Sequence, residues 1–338
     1  MKPIRVLIVD DSIFAREFIA DLLSNDKDIQ IAGHAGNGYE AIQKAAKLKP
    51  DIITMDIDMP AMDGLESIKH IMQSNAVPIL VVTSKTDIDT AYHAISNGAL
   101  EIVEKPGYDT GDYYEFINKI KLLSKVRVIP NIHYAKKPVI THSALKDKTR
   151  GSDKIIAIAS STGGPRALSL LLTALPPDFE PPVVIAQHIA DDFAEGMAQW
   201  LDKVVKLKVR IGKPGDIIKP GNIYLSQSEK HMKIDTRKRI ALQDRSPQDI
   251  YFPSGNVLLS SAGRVYKKDC IGIILTGMGD DGTAGIRTIK ESGGTTIAQD
   301  ENSSVIFGMP KKAIESGFID KVLPIDKIAQ EILCLVKN

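Results

Sequence analysis

A chain of 338 residues, 43% hydrophobic and 25% charged, is long enough for two ordinary soluble domains. Its net charge of +1 gives no footing for broad nucleic-acid binding, and its two cysteines, Cys270 and Cys334, lack the spacing of a disulfide framework or a zinc site. The first apolar run stops at Asp10 and no later stretch is long enough to span a bilayer, so neither a signal peptide nor membrane insertion is expected, and a cytoplasmic location is.

Taken in chain order, the first elements are short apolar runs that end in polar groups. Val6–Val9 ends in Asp10-Asp11, and Ile52–Met55 ends in Asp56. Ile79–Val82 ends in Thr83-Ser84, and Glu101–Glu104 ends in Lys105-Pro106. Such runs, separated by helix-length segments, predict a parallel sheet flanked by helices. The carboxyl ends of its strands line one crevice, so Asp10, Asp11, Asp56, Thr83 and Lys105 are expected to converge there. A single acid in such a place more often caps a helix. Three acids together repel unless a cation joins them, and a hard dication such as Mg²⁺ suits their oxygens. Lys105 then balances charge, Thr83 bonds a phosphoryl oxygen, and Asp56 is the natural acceptor for an aspartyl phosphate.

These residues, with the loop Met59-Pro60-Ala61-Met62-Asp63-Gly64-Leu65, make residues 1 to about 122 similar to a response-regulator receiver domain. The resemblance implies phosphorylation at Asp56, and Mg²⁺ held by Asp10, Asp11, Asp56 and the backbone carbonyl of Ile57. It also implies Thr83 and Lys105 as the groups that bind and report the phosphoryl group. One departure is Ile102, three residues before the lysine, where the family usually has an aromatic switch residue. An aliphatic side chain has no ring to swing, so any signal has to travel by repacking of strand and helix.

A helix over Asp112–Ser124 closes this domain. From Lys125 to Arg150 the periodicity fails; seven basic residues face a single acid, Asp147, which reads as a basic tether. After Lys154 the alternation resumes. Strands are predicted at Ile155–Ala159 and Pro182–Gln187. A helix is predicted from Pro165, with Leu168, Leu171, Leu172 and Leu175 on one face, and another over Phe193–Leu201. From Val209 to Leu242, short β pieces with Lys213-Pro214-Gly215-Asp216 and Lys219-Pro220-Gly221-Asn222 predict an antiparallel hairpin region. Ile271–Leu275, Thr295–Ala298 and Phe318–Val322 restore the parallel pattern.

Three loops of this half carry reactive groups at strand ends. Ser160-Ser161-Thr162-Gly163-Gly164 offers a hydroxyl at a strand–helix junction, where amides can stabilise an oxyanion. His188 follows Val183–Gln187. Gly277-Met278-Gly279-Asp280-Asp281-Gly282 follows Ile271–Thr276. Serine, histidine and aspartate on neighbouring strand ends are a candidate hydrolytic triad, although spacing leaves open which serine and which aspartate. The glycines also match a dinucleotide fingerprint, with Asp300 near the ribose position. Asp280 and Asp281 argue against it, because they would repel a pyrophosphate.

Ser161-Thr162-Gly163-Gly164, Gln187-His188, Leu275–Gly282, Ile297-Ala298-Gln299 and Phe307-Gly308-Met309-Pro310 make residues 152–338 similar to the catalytic domain of chemotaxis protein-glutamate methylesterases, which are also glutamine deamidases. The resemblance implies Ser161 as nucleophile, His188 as general base and acid, and Asp281 as the group that orients the imidazole. The Thr162 and Met278 amides become oxyanion candidates. No cofactor is implied for ester hydrolysis. Methyl-accepting chemotaxis receptors would be the substrate and a chemotaxis histidine kinase the phosphodonor, with the unphosphorylated receiver covering the site. Departures are Ala159 where glycine is frequent, Gly255-Asn256 where an apolar residue and an acid are usual, and Ser226-Gln227-Ser228 for Ala-Pro-Gly. They are expected to alter substrate-edge contacts and leave the triad alone.

The fold expected is therefore α/β throughout. Residues 1–124 form a flavodoxin-like receiver domain and 125–151 a basic linker. Residues 152–338 form a doubly wound, mostly parallel α/β domain with an antiparallel hairpin region.

Overall fold

A computed structural model describes residues 2–84, 88–107, 113–126, 128 and 153–337. The chain forms two compact units, within Met1–Lys137 and Pro138–Asn338. Apart from Lys125, the basic residues of the expected linker lie outside the described residues.

In the first unit β1 (Ile4–Val9), β2 (Ile29–Ala35), β3 (Ile52–Met55), β4 (Ile79–Thr83) and β5 (Glu101–Glu104) form a parallel sheet in the order β2-β1-β3-β4-β5. Val6, Leu7, Ile8, Ile52, Ile53, Ile79, Leu80 and Val81 are fully buried. Helices cover both faces of such a sheet, which is why these strands read as continuous apolar runs. The helices are α1 (Ile13–Ser24), α2 (Gly38–Leu48), α3 (Gly64–Ser74), α4 (Ile88–Asn97) and α5 (Tyr114–Leu123). Ser12, Asn37 and Asp63 cap the first three through their side chains. Strand order reverses at β1 and β3, so the crevice opens where Asp10 and Asp56 leave the sheet. Gly64 is required there, because a Cβ would come within 2.1 Å of the Asp56 carbonyl oxygen.

The second unit begins with β6 (Ile155–Ser160), α6 (Gly164–Thr173), β7 (Val183–Gln187), α7 (Phe193–Val204), β8 (Lys208–Ile211) and β9 (Asn222–Leu225). It continues with β10 (Lys230–Ile234), β11 (Ile240–Asp244), α8 (Gly255–Tyr266), β12 (Cys270–Ile274), α9 (Thr283–Glu291), β13 (Thr295–Gln299), α10 (Met309–Glu315), β14 (Lys321–Leu323) and α11 (Ile325–Lys337). The main sheet runs β14-β13-β12-β6-β7-β9-β8, with every pairing parallel.

Two expectations are corrected here. The expected antiparallel hairpin is formed by β10 and β11, but β8 and β9 pair in parallel and extend the main sheet. Residues 212–221 hold the two expected turns, with Gly215 and Gly221 at positive φ, but together they return the chain to its starting end instead of reversing it. The last strand also starts later than Phe318. The Phe318 carbonyl accepts from the Thr296 hydroxyl at 2.6 Å, and its side chain packs on the core cluster ahead of the ladder. No helix among the described residues is long and apolar enough to cross a membrane.

Candidate active site

In the first unit the acids meet as expected. Carboxylate oxygens of Asp10, Asp11 and Asp56 lie within 4.8 Å of one another. Lys105 Nζ reaches Asp10 Oδ2 at 2.8 Å and Asp56 Oδ2 at 2.7 Å. Burial raises Asp56 to about 6, against the pull of the Lys105 ammonium and with the push of Asp10. Burial opposes charge on Lys105, but its bonds to Asp10 and Asp56 win and raise it. Thr83 is buried, and its hydroxyl has no hydrogen-bond partner among the described residues. The Ile57 carbonyl accepts from the Gly64 amide at 2.9 Å, which ties the loop to α3. Ile102 is buried on β5 opposite Val81.

In the second unit, β12, β6 and β7 are neighbours, so their carboxyl ends bring three loops together. Ser160 and Ser161 separate clearly. Ser160 is fully buried and its hydroxyl donates to Gln187 Oε1 at 2.7 Å. The Gln187 amide then donates to the carbonyls of Ser161 and His188, at 2.9 and 2.8 Å. Ser161 is only partly buried. Its amide donates to Thr276 at 3.0 Å, and the Thr276 hydroxyl donates to the Thr162 carbonyl at 2.9 Å. These bonds pin the loop after β6 to the loop after β12. The fit is close enough that a Cβ at Gly277 would lie 2.6 Å from Ser161 Cβ. Among the described residues, neither the Thr162 nor the Met278 amide donates a hydrogen bond.

His188 Nε2 lies 2.7 Å from Asp281 Oδ2. Asp281 is fully buried. Its Oδ1 accepts from the amides of Asn256 and Gly282, both at 2.9 Å, and from the Ser254 hydroxyl at 3.1 Å; its Oδ2 also accepts from the Gly255 amide. Burial works to raise this carboxyl, but His188 and these amides hold it below the usual carboxylate range. An ionised Asp281 only accepts, so the proton sits on His188 Nε2 and leaves Nδ1 for exchange. Tyr251 stacks on the imidazole, with centroids 5.2 Å apart, and donates to Asp280 Oδ1 at 2.9 Å. An open depression of about 440 Å³ beside the loop is lined by Tyr251, Gly279, Asp280, Gly308, Lys311 and Lys312.

The description "Response regulator receiver domain" matches residues 6–113, and "CheB methylesterase" matches residues 156–332, more than half the chain. A protein-glutamate methylesterase/protein-glutamine glutaminase of Paramagnetospirillum magneticum is 42% identical across 98% of this chain and 95% of its own length. The protein of that name from Thermotoga maritima is 38% identical across 99% of both. The chain belongs to the CheB methylesterase family. The crystal structure of the Thermotoga maritima CheB methylesterase catalytic domain, 37% identical, covers 54% of this chain and 97% of that domain with a TM-score of 0.52.

Within the CheB frame, the glycine fingerprint has another use. The Gly282 amide, which would face a phosphate, is spent on Asp281, whose buried carboxylate fills that space. Asp300 instead accepts from the amide and hydroxyl of Ser303.

The departures at 159 and 255–256 fall elsewhere than expected. Those at 255 and 256 bond Asp281 itself, and Ala159 packs beside Gly255. Gly255 and Asn256 supply amides to its carboxylate, and a Cβ on Gly255 would lie 2.6 Å from Ala159 Cβ and 3.2 Å from Asp281 Oδ2. The Ala159 methyl occupies the space that a side chain at 255 would need. The Asn256 side chain accepts from the Gly285 amide at 3.0 Å, tying α8 to α9. Sequence reasoning missed Gln187, Tyr251 and the Ser254 cap as supports of the site. Pro253-Ser254 before a helical pattern was the one available signal.

Proposed function

We propose that this chain is a phosphorylation-activated hydrolase that cleaves glutamyl methyl esters, and deamidates glutamines, on methyl-accepting chemotaxis receptors in the cytoplasm. A chemotaxis histidine kinase is the phosphodonor. The observation that carries the reading is the His188–Asp281 couple at 2.7 Å, on strand ends flanking the one that presents Ser161.

Ser161 Oγ attacks the ester carbonyl while His188 Nδ1 takes its proton. Asp281 stabilises the imidazolium that forms. The Thr162 and Met278 amides, free of other acceptors among the described residues, receive the oxyanion. Collapse expels methanol with the proton from His188. Water, activated by the same nitrogen, then releases glutamate and frees Ser161. A glutamine amide follows the same path and loses ammonia. The test is methanol release from methylated receptor with and without a phosphodonor. Release that is stimulated by the phosphodonor is expected, and its absence in both conditions refutes the reading. A binding-only regulator would leave Ser161 unlabelled by a fluorophosphonate.

Asp10, Asp11 and Asp56 fit a hard cation, and Ile57 would join them only through its second carbonyl lone pair. Mg²⁺ bound there would neutralise the carboxylates toward an incoming phosphoryl group. Thr83 and Lys105 then have partners to offer it. Cation binding needs the Asp56 carboxylate, whose protonation midpoint is raised to about 6. As pH falls below that value a proton has to be displaced, so Mg²⁺ affinity should drop by up to about tenfold per unit, and level off above it. Calorimetric titration of the full chain across that range checks the sign.

Asp56→Asn should abolish stimulation by the phosphodonor and leave basal hydrolysis in place. A chain lacking residues 1 to about 140 should exceed the basal rate of the unphosphorylated protein. If it does not, the receiver activates by assembling the site rather than by releasing a restraint.

A further inference from the structure

His231 sits on β10, opposite Gln243 of β11, and is completely buried. Its two ring nitrogens are both engaged. Nδ1 lies 2.9 Å from the Ser254 amide, and Nε2 lies 2.9 Å from Asp249 Oδ2. A backbone amide can only donate, so Nδ1 is the acceptor and Nε2 carries the proton toward Asp249. The Asp249 carboxylate is anchored in turn by the Ser246 amide at 2.6 Å. His231 is therefore neutral, oriented, and fixed in one tautomer. Its ring bonds go to Asp249 and Ser254 rather than to Ser161, His188 or Asp281, and the mechanism above makes no use of it.

What it holds is the start of α8. Ser254 is the N-cap of that helix, and Ser254, Gly255 and Asn256 are three of the donors that grip Asp281. The residues just before the cap alternate across two imidazoles. Tyr251 stacks on His188, and Phe252 stacks on His231 with centroids 6.1 Å apart. Arg245 covers the same phenyl ring at 4.3 Å. The chain from 251 to 256 thus bears on both members of the His188–Asp281 couple, and His231 is its buried anchor.

We propose that His231, backed by Asp249, is a positioning residue for hydrolysis: it holds the Ser254 amide so that the first turn of α8 keeps the Asp281 carboxylate aimed at His188. The proposal rests on the triad reading above. Without the acceptor at Nδ1 the partly buried Ser254 amide loses its protein partner, and the cap turn relaxes to find another. Small displacements of a catalytic support lower turnover far more than binding.

The experiment uses the full chain with a phosphodonor and methylated receptor. It measures kcat, KM and Tm for His231→Leu, His231→Gln, Asp249→Ala and Ser161→Ala. His231→Leu should lose at least about tenfold in kcat, with KM within about twofold of the parent. His231→Gln should recover much of the loss, because its amide oxygen can accept from Ser254 and its amide nitrogen can donate to Asp249. A role in filling space alone predicts a lower Tm with kcat unchanged, and that result overturns the proposal. If His231→Leu does not fold, Asp249→Ala gives the decision: a folded variant with parental kcat overturns the proposal, and a fall in kcat at constant KM supports it. Activity surviving in Ser161→Ala sinks the triad and this proposal with it. An inactive Ser161→Ala beside an unimpaired His231→Leu sinks the proposal alone.

Discussion

Ser161→Ala should lower kcat for methyl-ester release by at least about 10³-fold while leaving Tm close to that of the parent, because it removes the attacking oxygen and little else. The control is its neighbour. Ser160 is fully buried and spends its hydroxyl on Gln187, so Ser160→Ala removes a structural hydrogen bond worth about 1 kcal/mol. Gln187 still donates to the Ser161 and His188 carbonyls in that variant, and activity should fall less than tenfold, as roughly that energy permits. Methanol release and fluorophosphonate labelling, measured on both variants, check the pair. Equal losses in the two, or full activity in Ser161→Ala, would overturn the assignment.

Asp281→Asn should cost about 10³- to 10⁴-fold in kcat, and the cause is visible in what surrounds the carboxylate. Its Oδ2 faces His188 Nε2 and the Gly255 amide, while Oδ1 faces the amides of Asn256 and Gly282 and the Ser254 hydroxyl. An asparagine amide nitrogen in either place meets at least two donors. Toward His188 it forces the proton onto Nδ1, the nitrogen that has to accept from Ser161. Flipped, it leaves the Asn256 and Gly282 amides without an acceptor in a buried place. Asp280→Asn is the contrast, since Asp280 is bonded by the exposed Tyr251 hydroxyl and keeps an acceptor oxygen after substitution. It should lose less than tenfold, on the order of one hydrogen bond. Steady-state kinetics on both variants, with pH profiles to detect the altered tautomer, give the test.

Much of this protein is written in its sequence because the code for it is local. A strand buried on both faces of a parallel sheet has to be apolar throughout, so Val6–Val9, Ile52–Met55, Ile155–Ala159 and Val183–Gln187 announce themselves. Their last residues project into the crevice of such a sheet, which made the Asp10, Asp56 and Lys105 group legible, together with the three loops of the second site. Residue type along the chain also argued against a pyrophosphate at the Gly277–Gly282 loop, since two adjacent acids there would repel it.

Tertiary structure decided what depends on distance between residues far apart in the chain. Spacing could not choose between Ser160 and Ser161; the burial of one hydroxyl against Gln187, 27 positions away, separates them. Nor could it show that Gly255 and Asn256 grip Asp281 or that Ala159 fills the space Gly255 leaves, because those contacts exist only once α8 packs beside β6. Nothing in the residues around His231 marks it, and only folding buries it between Asp249 and the cap of α8. The direction of β8 and β9 was hidden for the same reason: turn residues signal that the chain bends, and the packing of the intervening loop sets where the next strand begins. Local pattern fixes which atoms are apolar, charged or able to bend, while the pairing of polar groups follows from close packing of distant segments, where each buried donor has to find its acceptor.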